Sequence, residues 1–170
     1  RATEGGTGFA KCAGNYAMSL YPAKLAQEAG YNQLIWTDSK EHKWIEESGT
    51  MNIGFRIGNK ILTPPTGNTI LKGITRDSVL VLAKDMGYDV EERPISVDEI
   101  HDLMKQGKVD EAFGMGTAAT IAKIETIGFD GEDLSIDNVE NWKFANEVLT
   151  KLNNIKTGME TDKFGWNTKI

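Results

Sequence analysis

The chain has 170 residues, a formal net charge of −6 and no basic block, so we do not expect a nucleic-acid partner. No apolar run approaches the roughly 20 residues that span a membrane, and the length suits one hydrophobic core. The one cysteine, Cys12, cannot form an internal disulfide, which is typical of a reducing compartment. We therefore expect a cytoplasmic single-domain protein with no membrane partner, in which Cys12 is a small buried packing residue.

The first half of the chain predicts one helix followed by several strands. Apolar residues recur at helical spacing over residues 15–29, with a kink expected at Pro22 and Gly30 past the end. Strands are predicted over residues 33–37, 44–47, 51–57 and 60–63, with Gly58-Asn59 as the hairpin turn between the last two.

The second half alternates helices with strands, so the sequence predicts a mixed-sheet α/β domain. Thr75 is a typical N-cap for a helix over residues 76–86, and Ser96-Val97-Asp98-Glu99 is a capping box that begins the next helix. Further strands are predicted over residues 88–93, 111–113 and 120–127, a last helix over 139–153, and a tail over 158–170 that packs down through Phe164 and Trp166.

Lys11 is the first candidate for chemistry. It is a lone cation among glycines and small side chains, in Gly5-Gly6-Thr7-Gly8-Phe9-Ala10-Lys11. A desolvated lysine has a depressed pKa, and its neutral amine can act as a nucleophile or form a Schiff base. The alternative is a solvated lysine on a flexible glycine-rich loop.

Two further segments could bind an anion. In Gly73-Ile74-Thr75-Arg76, free backbone N–H groups and the Thr75 hydroxyl at a helix start would suit a phosphate, although a plain N-cap is the alternative. Residues 114–119 (Gly-Met-Gly-Thr-Ala-Ala) resemble a weak dinucleotide fingerprint, but the residues that follow are too β-branched for the required helix. We interpret this segment as a glycine-rich turn between strands.

Glu46 and Glu47 lie on a predicted strand, where successive side chains face opposite ways, so at most one should point inward. An inward carboxylate could keep a heteroaromatic nitrogen protonated; the alternative is an exposed pair of charges. His42 and His101 are not spaced with other ligands as a metal site demands, so we expect both at the surface and predict no metal. A lysine, a carboxylate and two anion-binding segments together match the requirements of pyridoxal phosphate.

Four motifs resemble the branched-chain aminotransferases, which are fold-type IV pyridoxal-phosphate enzymes, in order and approximate spacing. A Gly-Trp pair near the end, Gly165-Trp166, also matches. The motifs are Gly5-Gly6-Thr7-Gly8 with Lys11-x-x-Gly14-Asn15-Tyr16, Glu47-x-Gly49-Thr50-Met51-Asn52, Leu71-Lys72-Gly73-Ile74-Thr75-Arg76, and Gly116-Thr117-Ala118.

The resemblance implies a fold and a set of roles. The fold would be the larger carboxy-terminal domain of that family, in which mixed and antiparallel strands form a pseudo-barrel flanked by helices. Lys11 would form the Schiff base with pyridoxal 5'-phosphate and later move the catalytic proton. Tyr16 would hydrogen-bond the phenolic oxygen of the cofactor, and Glu47 would pair with its pyridinium nitrogen. The phosphate would be bound by Ile74, Thr75 and Thr117. The substrate carboxylate would be bound by Thr117 and Ala118, and the aliphatic side chain of the substrate would pack against Thr50 and Met51.

The sequence also departs from the family. Ala119 and Ala122 replace the redox-active cysteines of some mammalian relatives, so we predict no thiol switch, and Lys72 replaces the usual proline. The family's amino-terminal domain is absent, which indicates that residues 1–170 are one carboxy-terminal cofactor-binding domain of a longer, homodimeric protein.

The expected activity is transamination of leucine, isoleucine or valine with 2-oxoglutarate. Alternatives are a D-amino-acid transaminase or aminodeoxychorismate lyase of the same fold, or a catalytically silent fragment that binds cofactor weakly. We expect little activity from the domain alone.

Overall fold

The computed structural model describes residues 1–168, which form a mixed α/β domain as the sequence predicts. None of the helices in these residues is both apolar and long enough to cross a membrane. The elements are α1 (Gly14–Ala17), α2 (Leu20–Glu28), β1 (Ile35–Thr37), β2 (Ile45–Ser48), β3 (Met51–Ile57), β4 (Lys60–Thr63), α3 (Ile74–Asp85), β5 (Asp89–Glu92), α4 (Val97–Lys105), β6 (Glu111–Gly116), β7 (Thr120–Lys123), β8 (Thr126–Phe129), β9 (Glu132–Ser135), a 3₁₀ turn (Val139–Asn141) and α5 (Lys143–Thr157).

Strand β3 is the centre of the seven-stranded sheet. Strand β2 pairs with its first two residues, β4 pairs with its last three, and β6 pairs along residues 52–56. Because a strand has two hydrogen-bonding edges, β2 and β4 share one edge and β6 occupies the other. Asn52 therefore lies between Glu47 on β2 and Met115 on β6, where the two halves of the sheet meet.

Among the described strands, β4 and β5 form the one parallel pair, and α3 connects them. A parallel pair requires such a crossover, and α3 buries Val79, Leu80, Leu82 and Ala83 against the sheet. Between β4 and α3, residues 64–73 form a ten-residue connection with no helix or strand of its own. This connection carries the second half of the site described below.

Several predicted local features are confirmed. Gly58 has a φ of 58° in the β3–β4 turn, and Ser96 Oγ accepts the Glu99 N–H bond at 3.1 Å as the capping box predicts. Phe164 packs against the core and stacks on Trp166 with ring centroids 4.5 Å apart, so the described part of the tail packs down. Lys169 and Ile170, the end of that predicted segment, lie outside the described residues.

Several predicted elements differ from the structure. The single helix over residues 15–29 is two helices, because Pro22 lies in the first turn of α2, where its missing N–H costs no helical bond. The strand over 120–127 is interrupted at residues 124–125 and forms parts of two sheets. Strand β9 was not predicted because Glu132–Ser135 is mostly exposed, and the last helix begins at Lys143 rather than 139 and ends at Thr157.

Glu111 connects the sheet to α5. Its side chain is fully buried, and its carboxylate accepts hydrogen bonds from Phe144 N–H at 2.9 Å, Ala145 N–H at 2.7 Å and Arg56 Nε at 2.7 Å. Two of these donors are first-turn amides of α5, which have no partner within the helix. The carboxylate therefore caps α5 from inside the core.

We predict that Glu111→Ala lowers the free energy of unfolding by about 3–5 kcal/mol, because it leaves Arg56 Nε and two buried amides without their acceptor. Chemical denaturation of the chain measures the loss. Glu160→Ala is the control, since it removes a carboxylate whose ion pair with Lys151 is partly exposed, and a much smaller loss is expected. Equal losses for the two variants would contradict the role of Glu111.

Candidate active site

Glu47 on β2 is 4% exposed and is held by three segments of the chain. The Arg1 guanidinium forms an ion pair with Oε2, although Arg1 Nε is not aligned as a hydrogen-bond donor. Leu71 N–H donates to Oε1 at 3.1 Å, and the Asn52 side-chain amide approaches the same oxygen at 3.3 Å. The predicted inward carboxylate is therefore present, with a cation and two N–H donors around it.

Burial raises the pKa of Glu47 from 4.5 to about 7, although Arg1 and the Leu71 N–H bond both act to lower it. Desolvation of the carboxylate therefore outweighs the attraction of its neighbours. At neutral pH the neutral and ionised forms are both populated, so a cationic group placed beside Glu47 would favour the ionised form.

The prediction that only one of Glu46 and Glu47 points inward is wrong. All four residues of β2 are buried, because both faces of this strand are covered. Glu46 accepts a hydrogen bond from the Thr69 hydroxyl, two residues before the segment that contacts Glu47. The connection between β4 and α3 thus contacts both carboxylates.

The glycine-rich segment that carries Lys11 packs directly on this connection. Arg1 donates to Gly8 O at 3.1 Å and to Thr69 O at 2.9 Å, and Phe9 N–H donates to Asn68 O at 3.1 Å. A Cβ atom at Gly8 would lie 2.6 Å from Thr69 Cα, so only glycine permits this approach. The contacts attach the lysine-bearing segment to the cluster around Glu47.

Asn15 closes the same segment from its other end. Its side-chain amide donates to Thr7 O and Ala10 O, both at 2.8 Å, and its Oδ1 accepts the Thr7 hydroxyl at 2.8 Å. These bonds fix the backbone that immediately precedes Lys11. Sequence reasoning missed Asn15 and Arg1 as site residues, and the only signal was their place within or beside the first motif.

Lys11 itself is exposed, so the expectation of a desolvated amine is not met in this chain. Within residues 1–168 it makes no side-chain hydrogen bond or ion pair, because its glycine-rich segment lies on the surface. Cys12 is also exposed, which contradicts its expected burial. Tyr16, in α1, is half-buried.

The first anion site is at the start of α3. Gly73 is the N-cap and the helix begins at Ile74, so the prediction of Thr75 as N-cap is wrong by two residues. The N–H groups of Ile74 and Thr75 lie in the first turn and precede the first helical bond, Asp77 N–H to Gly73 O. Ile74 is 85% exposed, which leaves this end of the helix open to an anion.

The second anion segment meets the predicted substrate wall. Gly114 and Gly116 belong to β6 rather than to a turn, and the turn follows at residues 117–119. A Cβ atom at either glycine would lie 2.7 Å from the Met51 side chain, so Met51 covers both. Thr50, Thr117 and Ala118 are exposed around this contact.

Contacts thus connect three of the predicted parts of the site: the Glu47 carboxylate, the start of α3 and the Met51 surface beside β6. Glu47 contacts the connection that leads to Ile74 and Thr75, and Asn52 joins β2 to β6, beside which Met51 lies. Lys11 is attached through its backbone segment. In residues 1–168 there is no group of three or more His, Cys, Asp or Glu side chains that could hold a metal ion.

The family model for amino-transferase class IV matches residues 11–127, more than half of the chain, and its match begins at Lys11. The chain belongs to this family.

Similar proteins agree with this assignment. Branched-chain-amino-acid aminotransferase 2 of Bacillus subtilis (strain 168) is 45% identical over all 170 residues, which cover 47% of that protein. A probable branched-chain-amino-acid aminotransferase of Staphylococcus aureus (strain N315) is 42% identical over the whole chain, which covers 48% of that protein. The chain therefore spans about half the length of the curated relatives it matches.

Solved structures confirm the fold-type IV prediction. The branched-chain amino acid aminotransferase of Escherichia coli matches with a TM-score of 0.80 and 29% identity, covering 98% of this chain and 52% of that one. The branched-chain aminotransferase of the archaeon Thermoproteus uzoniensis, solved with norvaline, matches with a TM-score of 0.76 and 29% identity, covering 94% of this chain and 49% of that one.

The raised pKa of Glu47 predicts that this residue lowers stability as pH rises. Its carboxyl ionises near pH 4.5 when unfolded and at about pH 7 when folded, so the unfolded state binds fewer protons between these values. The difference of 2.5 pH units, at 1.36 kcal/mol each, corresponds to about 3 kcal/mol. Denaturant titrations between about pH 4 and about pH 8 should show this decline in the wild type and not in Glu47→Gln.

Glu28→Gln is the matched control, because Glu28 is exposed and forms an ion pair with Lys24, which is also exposed. Its pH dependence should follow that of the wild type. Parallel curves for the wild type and Glu47→Gln would contradict the pKa assigned to Glu47.

Proposed function

We propose that this chain is the cofactor-binding part of a branched-chain amino acid aminotransferase that uses pyridoxal 5'-phosphate. The observation that carries the proposal is the buried Glu47 carboxylate in direct contact with the segment that leads into α3. A buried acid and an open helix start, connected by two residues of backbone, suit a ligand with a basic ring nitrogen at one end and a phosphate at the other.

The residues present fit this cofactor. Glu47 would keep the ring nitrogen protonated. Burial raises the pKa of Glu47 to about 7, and the positive charge of the protonated ring beside it would favour the ionised carboxylate. The Ile74 and Thr75 N–H groups with the Thr75 and Thr117 hydroxyls would bind the phosphate, and Tyr16 the phenolic oxygen. When bound, pyridoxal phosphate supplies an electron sink for the carbanion that develops at the substrate.

Lys11 is the catalytic residue of this proposal. It would hold the cofactor covalently and move a proton at the α-carbon of the substrate. The hydrogen bonds of Asn15 to Thr7 and Ala10 support this role, because they fix the backbone before Lys11 while leaving its amine free to move.

The substrates proposed are leucine, isoleucine or valine and a 2-oxo acid, as the names of the relatives indicate. Met51, packed over Gly114 and Gly116, would form an apolar wall for the aliphatic side chain together with Thr50. Thr117 and Ala118 follow directly after β6, where their backbone N–H groups would bind the substrate carboxylate.

We also propose that the intact protein contains an amino-terminal domain that completes the site, and that it forms a homodimer. Its cytoplasmic location stays a prediction. The relatives are about twice as long as this chain, and Lys11, Thr50, Thr117 and Ala118 are all exposed in it. An open site leaves water around the amine and phosphate, so this chain alone would be nearly inactive.

We predict that the purified chain, mixed with pyridoxal phosphate, gives the visible absorbance band of a lysine-bound pyridoxal, and that borohydride reduction of this C=N bond leaves a stable secondary-amine adduct at Lys11. Lys11→Ala should give neither, because Lys11 is the lysine of the glycine-rich segment that packs beside the Glu47 cluster, and Lys72, in the connection before α3, is not assigned a bond to the cofactor. Lys24→Ala, which removes an exposed lysine of α2, should behave as the wild type.

An adduct that maps to another lysine, or a band that persists in Lys11→Ala, would contradict the proposed function. A transaminase assay with L-leucine and 2-oxoglutarate tests the completeness of the site separately. Turnover by this chain within about tenfold of a full-length relative would contradict the need for a second domain.

A further inference from the structure

Asn52, the second residue of β3, lies between the two ends of the proposed cofactor site. Its side-chain amide nitrogen is 3.3 Å from Glu47 Oε1 and donates to Leu71 O at 2.9 Å. Leu71 N–H donates to the same Glu47 oxygen at 3.1 Å. Asn52 is 5% exposed, so bulk solvent is largely excluded from its side chain.

The side-chain carbonyl oxygen of Asn52, Oδ1, faces the start of α3. A Cβ atom at Gly73 would lie 2.2 Å from Asn52 Oδ1, closer than any van der Waals contact. The φ of −69° and ψ of 130° at Gly73 are open to any residue, so the backbone conformation does not require glycine there. The close approach of the Asn52 side chain is what requires glycine at position 73.

We propose that Asn52 is a positioning residue that fixes the distance between the Glu47 carboxylate and the start of α3. The inference rests on the proposed function, since it assigns those two groups to the ring nitrogen and phosphate of one ligand. One amide contacts the acid, the carbonyl of Leu71 and the N-cap glycine, so the three cannot shift independently. Asn52 is not itself assigned a contact with substrate or cofactor.

A purely structural role is the competing explanation. In that case the Asn52 amide would only satisfy the buried Leu71 carbonyl, and its loss would destabilise the chain without changing the relative affinity for different ligands. A positioning role makes a distinct prediction. Binding of a ligand that has both ends should suffer more than binding of a ligand that lacks the phosphate.

The first experiment compares pyridoxal phosphate with pyridoxal. Asn52→Ala should lower the affinity for pyridoxal phosphate by about tenfold or more and the affinity for pyridoxal by less than about threefold. Only pyridoxal phosphate would reach both the Glu47 carboxylate and the start of α3. Asn59→Ala is the matched control, since the Asn59 amide also donates to a backbone carbonyl, Gly87 O at 3.0 Å, at the opposite end of β3. It should change neither affinity. Equal weakening of both ligands by Asn52→Ala, or no weakening, would overturn the proposal.

The second experiment needs no cofactor. Gly73→Ala should lower the melting temperature of the ligand-free chain, because the added methyl collides with Asn52. In an Asn52→Ala background the nearest remaining neighbour of that methyl is Arg76 Cβ at 3.6 Å, an ordinary contact, so most of the Gly73→Ala effect should disappear. If the two substitutions lowered the melting temperature additively, the proposed contact between Asn52 and Gly73 would be overturned.

The two experiments separate this inference from the proposed function. If the wild type binds no pyridoxal phosphate at Lys11, the proposed function fails and the positioning role with it, whatever the stability cycle shows. If the wild type binds and the ligand ratio is unchanged in Asn52→Ala, only the inference fails.

Discussion

A carboxylate buried in a sheet is costly unless charge and hydrogen bonds compensate it, and Glu47 is such a carboxylate. Its compensation comes from three places: the guanidinium of Arg1, the backbone of Leu71 and the side chain of Asn52. The amino-terminal segment, β3 and the connection before α3 therefore converge on one group. The segment before the helix start proposed for the phosphate contacts Glu47 directly, and the loop that carries Lys11 packs on that segment and on Arg1.

The balance around Glu47 also connects the fold to its chemistry. Burial alone would favour the neutral acid, and Arg1 opposes this only in part, so the pKa of the acid lies at about 7. A carboxyl in that range responds strongly to a neighbouring cation.

The sequence was sufficient wherever the signal is local. The Gly58-Asn59 turn, the Ser96 cap and the apolar face of α3 depend on residues within a few positions of one another, and the structure confirms them. The segments that carry the family motifs include the buried Glu47 and the start of α3, although the helix begins at Ile74 rather than after Thr75; the roles of these residues stay predictions.

Long-range contacts could not be predicted in this way. Arg1 contacts Thr69, 68 residues away, and Asn52 contacts Leu71, 19 residues away, and neither pairing leaves a periodic pattern. The sequence left a desolvated and a solvated Lys11 as alternatives, and Lys11 is exposed. Glycines indicate that a segment is conformationally free, but they do not indicate which distant residues cover it. Glu46 is buried because the distant Thr69 segment covers a face that strand alternation assigns to solvent.

The central claim is that Glu47 is a buried acid whose charge depends on the group placed beside it. A carboxyl-carbon NMR titration of the ligand-free chain, with Glu47 assigned by the loss of its signal in Glu47→Gln, measures this directly. We expect a midpoint at about pH 7 in the ligand-free chain, moving well below that value when pyridoxal phosphate is added. A midpoint near 4.5 in the ligand-free chain, unchanged by the cofactor, would contradict it.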